Sequence, residues 1–120
     1  MQIIEGEVIH GNALGRTMGF PTANIDVPQH VHIPSGVYCS TVDVSGHSYR
    51  AMTNVGLRPT VGGTRRVVES HILDFCGDIY GQHLRITLHA KVRDERKFDS
   101  LDALKQQLML DAAHIRTMPL

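Results

Sequence analysis

Gly11, Gly15 and Gly19 recur at four-residue steps, and Pro21-Thr22-Ala23-Asn24 follows at once. Glycine tolerates positive φ and lets a ligand come close to the backbone. Successive N–H groups of such a loop can curl around an anion as a nest. Pro21 fixes φ and stiffens the exit from the loop. If the tetrad is extended, Thr22 and Asn24 project from one side. Their hydroxyl and amide oxygens suit a hard cation such as Mg²⁺ beside phosphates. This combination points to a nucleotide-phosphate site. It is neither of the common phosphate loops, since no G-x-x-x-x-G-K-[ST] occurs and no G-x-G-x-x-G opens a helix. By spacing alone, such a glycine run is more often a surface loop.

The elements that must hold these residues fit in one domain over residues 1–120, because a chain of 120 residues suffices for one core. A hydrophobic content of 42% with 20% charged residues is that of a globular protein. Formal net charge is zero, which gives no global pull toward nucleic acid or an anionic membrane, so neither is expected as a partner. No run reaches the ~18 apolar residues of a spanning helix. The N-terminus lacks the basic start and apolar core of a signal peptide, so a cytoplasmic location is expected. Cys39 and Cys76 are then expected as reduced, buried thiols. His30-x-His32 sits among prolines without partners at zinc spacing and reads as a loop pair.

Residues 2–10 suggest a strand, and residues 25–34, punctuated by Pro28 and Pro34, a connection. Two β-rich runs, 36–44 and 47–55, flank Ser45-Gly46 and predict a hairpin. Glycine and proline in 56–64 suggest a loop. Residues 67–75 read as a strand of mixed parity, with Val67, Glu69, His71, Leu73 and Phe75 on one face. After a turn at 77–81, Leu84, Ile86, Leu88, Ala90 and Val92 alternate with polar residues as a half-buried strand. Leu101, Leu104, Leu108, Ala112 and Ile115 form a helical stripe, with Asp99 or Ser100 as N-cap and Pro119 beyond its end. Strands followed by one helix imply an antiparallel barrel or sandwich closed by that helix.

In order along nearly the whole chain, several blocks resemble the ATP-dependent riboflavin kinases, including the kinase module of bifunctional riboflavin kinase/FAD synthetases. They are Gly15-Arg16-Thr17-Met18-Gly19-Phe20-Pro21-Thr22-Ala23-Asn24, Gly36-Val37-Tyr38 and Asn54-Val55-Gly56-Leu57-Arg58-Pro59-Thr60. Glu69-Ser70-His71-Ile72-Leu73-Asp74-Phe75, Asp78-Ile79-Tyr80-Gly81 and Arg93-Asp94-Glu95-Arg96-Lys97-Phe98 follow. The resemblance implies a mainly β fold, a six-stranded antiparallel Greek-key barrel with a C-terminal α-helix. It implies transfer of the ATP γ-phosphate to the riboflavin 5′-hydroxyl, giving FMN and ADP. On this resemblance the loop holding Gly11, Gly15 and Gly19, with Pro21, covers the nucleotide phosphates, and Thr22 and Asn24 hold Mg²⁺. Glu69 is then the general base, Arg93, Arg96 and Phe98 lie along the flavin, and Tyr80 lies near the adenosine. An FAD synthetase domain is a candidate partner in the natural full-length chain.

The chemistry is consistent with those roles. Phosphoryl transfer needs positioning and charge stabilisation more than covalent chemistry. A carboxylate that takes the alcohol proton contributes roughly 10²–10⁴-fold in rate. If the Glu69 face looks inward, its carboxylate stands at a barrel mouth; the bland alternative is an exposed residue pairing with Arg65 or Arg66. Read without the resemblance, 93–97 is a solvated charged turn and His71 a packed or hydrogen-bonded strand residue. The competing function is a flavin- or nucleotide-binding module without catalysis.

Overall fold

In a computed structural model, residues 2–9, 22–29, 32–75 and 77–120 are described. The glycines at 11, 15 and 19, Pro21, His30 and Cys76 lie outside them, so the expectations placed on those residues do too. The strands are β1 (Gln2–Ile9), β2 (Thr22–Asp26), β3 (Gly36–Val44), β4 (His47–Thr60), β5 (Gly63–Ile72) and β6 (His83–Arg93), followed by helix α1 (Leu101–Thr117). They close in the order β1-β2-β5-β4-β3-β6, every pair antiparallel. Chain neighbours β2 and β3, like β5 and β6, are not paired, so their connections cross the barrel end as in a Greek key. Among the described strands, closure leaves no edge open to a foreign chain.

Period-two patterning decides what fills the barrel. Ile4 and Val8 of β1, Ala23 and Ile25 of β2, Val42 of β3, Ala51 and Val55 of β4, Val68 and Ile72 of β5, and Leu84, Ile86 and Leu88 of β6 form one buried cluster. The alternation read over 84–92 is that of inward residues as far as Leu88; register shifts against β3 then reverse it, so Ala90 pairs with outward Cys39 and Val92 packs on the outer cluster. A hydroxyl ladder crosses the interior beside the inward residues: Ser40 and Thr53 stand 2.6 Å apart, Thr53 and Ser70 2.7 Å, and Ser40 also donates to the Ala51 carbonyl at 2.9 Å. All three hydroxyl residues are fully buried.

A second cluster lies on the outer face. Val37, Cys39, Met52 and Leu73 meet Leu108, Ala112 and Ile115 of α1. The Cys39 thiol is free and buried there; burial pushes its pKa up, against a smaller downward pull from Arg50. Ser100 is the N-cap, its hydroxyl accepting from the Ala103 N–H at 3.1 Å. At the other end Arg50 donates to the carbonyls of Ile115 and Met118, both at 2.6 Å, complementing the negative helix terminus. Leu101 departs from the predicted stripe and stays 60% exposed.

The segment 56–64 is not a loop. β4 and β5 remain paired out to Thr60 and Gly63, and the chain turns at Val61 and Gly62. Pro59 is tolerated because it lies next to the last pair of the hairpin, where a missing N–H costs little. β5 ends at Ile72, and Asp74 turns the chain with φ +58°. Ser45-Gly46 forms the predicted tight turn, with φ +50° and +83° as a type I′ turn requires. Ile25 and Asp26, read as part of a connection, complete β2. No helix among the described residues is long and apolar enough to cross a membrane.

Candidate active site

Strand β5 supplies the centre of the site. Val68, Ser70 and Ile72 point into the barrel, so Glu69 and His71 face outward. The conditional expectation that the Glu69 face looks inward is thus corrected. Val68 and Ile72 fill the inner face, while Leu73, just past the strand, joins the outer cluster under α1, so apolar residues fall on both faces and hydrophobicity does not alternate cleanly.

Register then assembles two polar rows on the outer surface. Glu69 pairs with Asn24 of β2 on one side and Asn54 of β4 on the other. His71 pairs with Thr22 and Met52 in the same way. The extended tetrad puts Thr22 and Asn24 on one face, as its spacing predicts, directly opposite His71 and Glu69. The imidazole joins these rows: Nε2 lies 3.2 Å from Glu69 Oε1, and Nδ1 lies 3.3 Å from Thr22 Oγ1. A carboxylate only accepts, so in the neutral ring Nε2 carries the proton and Nδ1 accepts from the Thr22 hydroxyl. The His71 side chain is 6% exposed and that of Glu69 27%, so the ring is enclosed while the carboxylate reaches open space.

That space is a cavity of about 720 Å³, within the range of small-molecule sites. Val37, Met52, Leu104 and Leu108 form its apolar floor, and Asn54, Glu69 and His71 its polar edge. Arg93, Arg96 and Phe98 form the opposite wall. The Arg93 guanidinium is held by Asp111 of α1, with Nη2 2.9 Å and Nε 3.0 Å from Oδ2. Gln107 steadies the other Asp111 oxygen at 2.9 Å and accepts from Arg96 at 3.2 Å. Both guanidinium carbons stack over Phe98, at 5.7 Å for Arg93 and 4.8 Å for Arg96. The charge of Arg93 is neutralised by a buried carboxylate, so its contribution here is to fix the ring and the wall.

The rim closes where Arg58 near the end of β4 meets Glu95, 3.4 Å away. Gly56 lies beneath this pair, and a Cβ there would collide with the Glu95 carboxylate and the Arg58 guanidinium. Tyr80 does not line the cavity. It is 54% exposed in the turn before β6, its N–H donating to Asp78 Oδ1 at 3.0 Å. That turn is tied to the end of β1 by Gly81 N–H to Val8 O, 3.0 Å. Tyr80 therefore stands near the C-terminal end of β1. Sequence reasoning missed the placement of Asn54 beside Glu69 and the bridging role of His71; only the strand register reveals either.

Comparison with known proteins gives the arrangement its context. Residues 2–118 match the family described as riboflavin kinase. The chain belongs to the riboflavin kinase family. It is 41% identical over 116 residues to the bifunctional riboflavin kinase/FMN adenylyltransferase of Pseudomonas fluorescens, covering 96% of this chain and 37% of that protein. It is 40% identical over 112 residues to an RNA-binding riboflavin kinase of Bacillus subtilis, covering 92% of this chain and 48% of the relative. The crystal structure of riboflavin kinase from Trypanosoma brucei superposes with a TM-score of 0.66 at 28% identity, covering 95% of this chain and 76% of that one. The chain thus spans little more than a third of the length of the Pseudomonas relative. RNA binding by the Bacillus relative leaves the expectation of no nucleic-acid partner without support, although the chain's net charge is zero.

Proposed function

We propose that this chain transfers the γ-phosphate of ATP to the 5′-hydroxyl of riboflavin, giving FMN and ADP. The observation that carries the reading is the register that sets Thr22 and Asn24 of β2 opposite His71 and Glu69 of β5, the two residues of this group that line the cavity. Family membership supplies the substrate class.

Glu69 is the general base in this reading. Its carboxylate stands on a rigid strand, one oxygen near the His71 ring and part of its surface open to the cavity. It takes the proton of the 5′-hydroxyl as that oxygen attacks the terminal phosphorus, while the bond from that phosphorus to the ADP oxygen breaks. Thr22 and Asn24 suit Mg²⁺ as uncharged hard-oxygen donors two residues apart on one face. In such a site phosphate oxygens would complete the coordination, as is usual for Mg²⁺ bound beside a nucleotide. The ion would neutralise charge on the phosphates. Phe98, steadied by Arg93 and Arg96, supplies a face against which the flavin ring can lie, and Leu104 and Leu108 an apolar floor. Gly11, Gly15, Gly19 and Pro21 cover the nucleotide phosphates, and Tyr80 lies toward the adenosine, in keeping with its place at the end of β1. An adenylyltransferase portion, as in the bifunctional relatives, is the proposed covalent neighbour.

Incubating the chain with riboflavin and MgATP, and separating flavins by chromatography, should show FMN formed in step with ADP. Tight flavin binding without ATP consumption would overturn the kinase reading in favour of a non-catalytic binding module.

A further inference from the structure

Asn54 carries a feature that the fold does not use. Its side-chain oxygen is shut off from solvent and has no hydrogen-bond partner among the described residues. A buried acceptor left unmade is costly, and native proteins keep few of them. Asn54 lines the cavity and is the cross-strand neighbour of Glu69. Directly opposite side chains on one sheet face stand about 5 Å apart at Cβ. A ligand whose reacting hydroxyl meets Glu69 therefore passes its neighbouring carbons beside Asn54.

We infer that Asn54 is a specificity-determining residue, its side-chain oxygen accepting a hydrogen bond from a secondary hydroxyl of a polyol chain whose terminal hydroxyl lies at Glu69. The inference rests on the riboflavin kinase reading, in which that chain is the ribityl group. Apolar substitution at this position has an unusual signature. An ordinary structural hydrogen bond, once deleted, weakens the fold. Here removal of an unmatched polar group relieves the free protein and penalises only the complex. Stability and substrate affinity should move in opposite directions.

The test compares the wild-type chain with Asn54→Leu, which keeps the branching at Cγ and removes the amide, and with Asn54→Ser, which restores a smaller acceptor. Thermal melting without ligand should be unchanged or higher for Asn54→Leu. Its Kd for riboflavin, measured by flavin fluorescence quenching, should rise about tenfold, the worth of one hydrogen bond. Asn54→Ser should recover part of that loss. The 4′-deoxy and 3′-deoxy analogues of riboflavin locate the partner. One of them should bind wild type about tenfold more weakly than riboflavin does, yet bind Asn54→Leu as well as riboflavin does. Equal losses for riboflavin and both analogues, or a lowered melting temperature with unchanged affinity, would overturn the inference while leaving the kinase reading intact. Wild type that neither binds nor phosphorylates riboflavin would overturn both.

Discussion

Adjacent residues of one strand pair meet two different fates in this barrel. Thr53 and Ser70 are cross-strand partners facing inward, and Asn54 and Glu69, the next pair along, face outward. Inside, each hydroxyl bonds to the next, and Ser40 ends the ladder on a backbone carbonyl. Outside, the Asn54 oxygen has no described partner, and Glu69 approaches His71 while remaining partly open. Polar groups that hold a fold are satisfied within it, since a partly satisfied buried network is worse than none. Groups left short of partners at a cavity edge are kept for something that arrives. The difference lies in hydrogen-bond completion, because both pairs occupy the same ladder.

Breaking the outer pair should have the largest effect and leave the fold alone. Glu69→Gln keeps the shape and hydrogen-bonding reach of the side chain but removes the base. The turnover number for FMN formation should fall by roughly 10²–10⁴-fold, with the melting temperature changed by little. Turnover within a few-fold of wild type would take the base role from Glu69. The inner pair should answer in the reverse sense. Thr53→Val interrupts the ladder and strands the Ser70 hydroxyl in the barrel, while Ser40 keeps its bond to the Ala51 carbonyl, costing about 1–3 kcal/mol in denaturant unfolding. The KM for riboflavin should stay at its wild-type value. A variant in which affinity fell and stability held would erase the distinction between the faces.

The smallest expected effect lies outside both pairs and serves as their control. Lys91 and Asp94 form a surface ion pair at 2.6 Å. The hydrogen bond from Lys91 holds the Asp94 carboxyl below its ordinary value, and the same bond holds the Lys91 ammonium above its own. The Asp94 contribution is therefore present above the ordinary carboxylate range and lost as pH falls through its lowered value. The Lys91 contribution is present below the ordinary lysine value and lost as pH rises through its raised one. Melting of Lys91→Met should run slightly below wild type near neutrality, the gap closing at the acid end, with catalysis unchanged. A gap that widened in acid would contradict the pairing.

Much of the frame is visible in the sequence, and for identifiable reasons. β6 is flanked by two strands and carries apolar residues at alternate positions, so Leu84, Ile86 and Leu88 announce their inward face. The helix declares its start through Asp99 or Ser100, of which Ser100 is the cap, and its end through Pro119. The tetrad is legible because Thr22 and Asn24 keep strand spacing after a proline. What fails is legibility where apolar residues fall on both faces of a segment. Glu69 and His71 share the outer side with Leu73, whereas Val68 and Ile72 fill the inner side, and apolar residues on both sides hide the orientation. The far half of β4 is concealed differently. Gly56 and Pro59 signal a loop, yet Gly56 is required by the close approach of Glu95, and Pro59 sits where the hairpin is about to turn. Asn54 opens one of the resembling blocks, but its role is not legible there, because a missing partner is a property of three-dimensional surroundings.

The fastenings around the cavity are of unequal strength. On one side α1 is gripped at its C-terminus by Arg50, and its Asp111 locks Arg93 in a buried ion pair. On the other, the overhanging tip of the β4–β5 hairpin is held across the rim by Arg58 and Glu95, an exposed contact of the kind typically worth about 0–1 kcal/mol. Thermal fluctuation can release such a latch at little cost while the far wall keeps its shape. Widening of the chamber is therefore cheapest at the rim, and its breadth is bounded by the helix that Arg50 and Asp111 fasten.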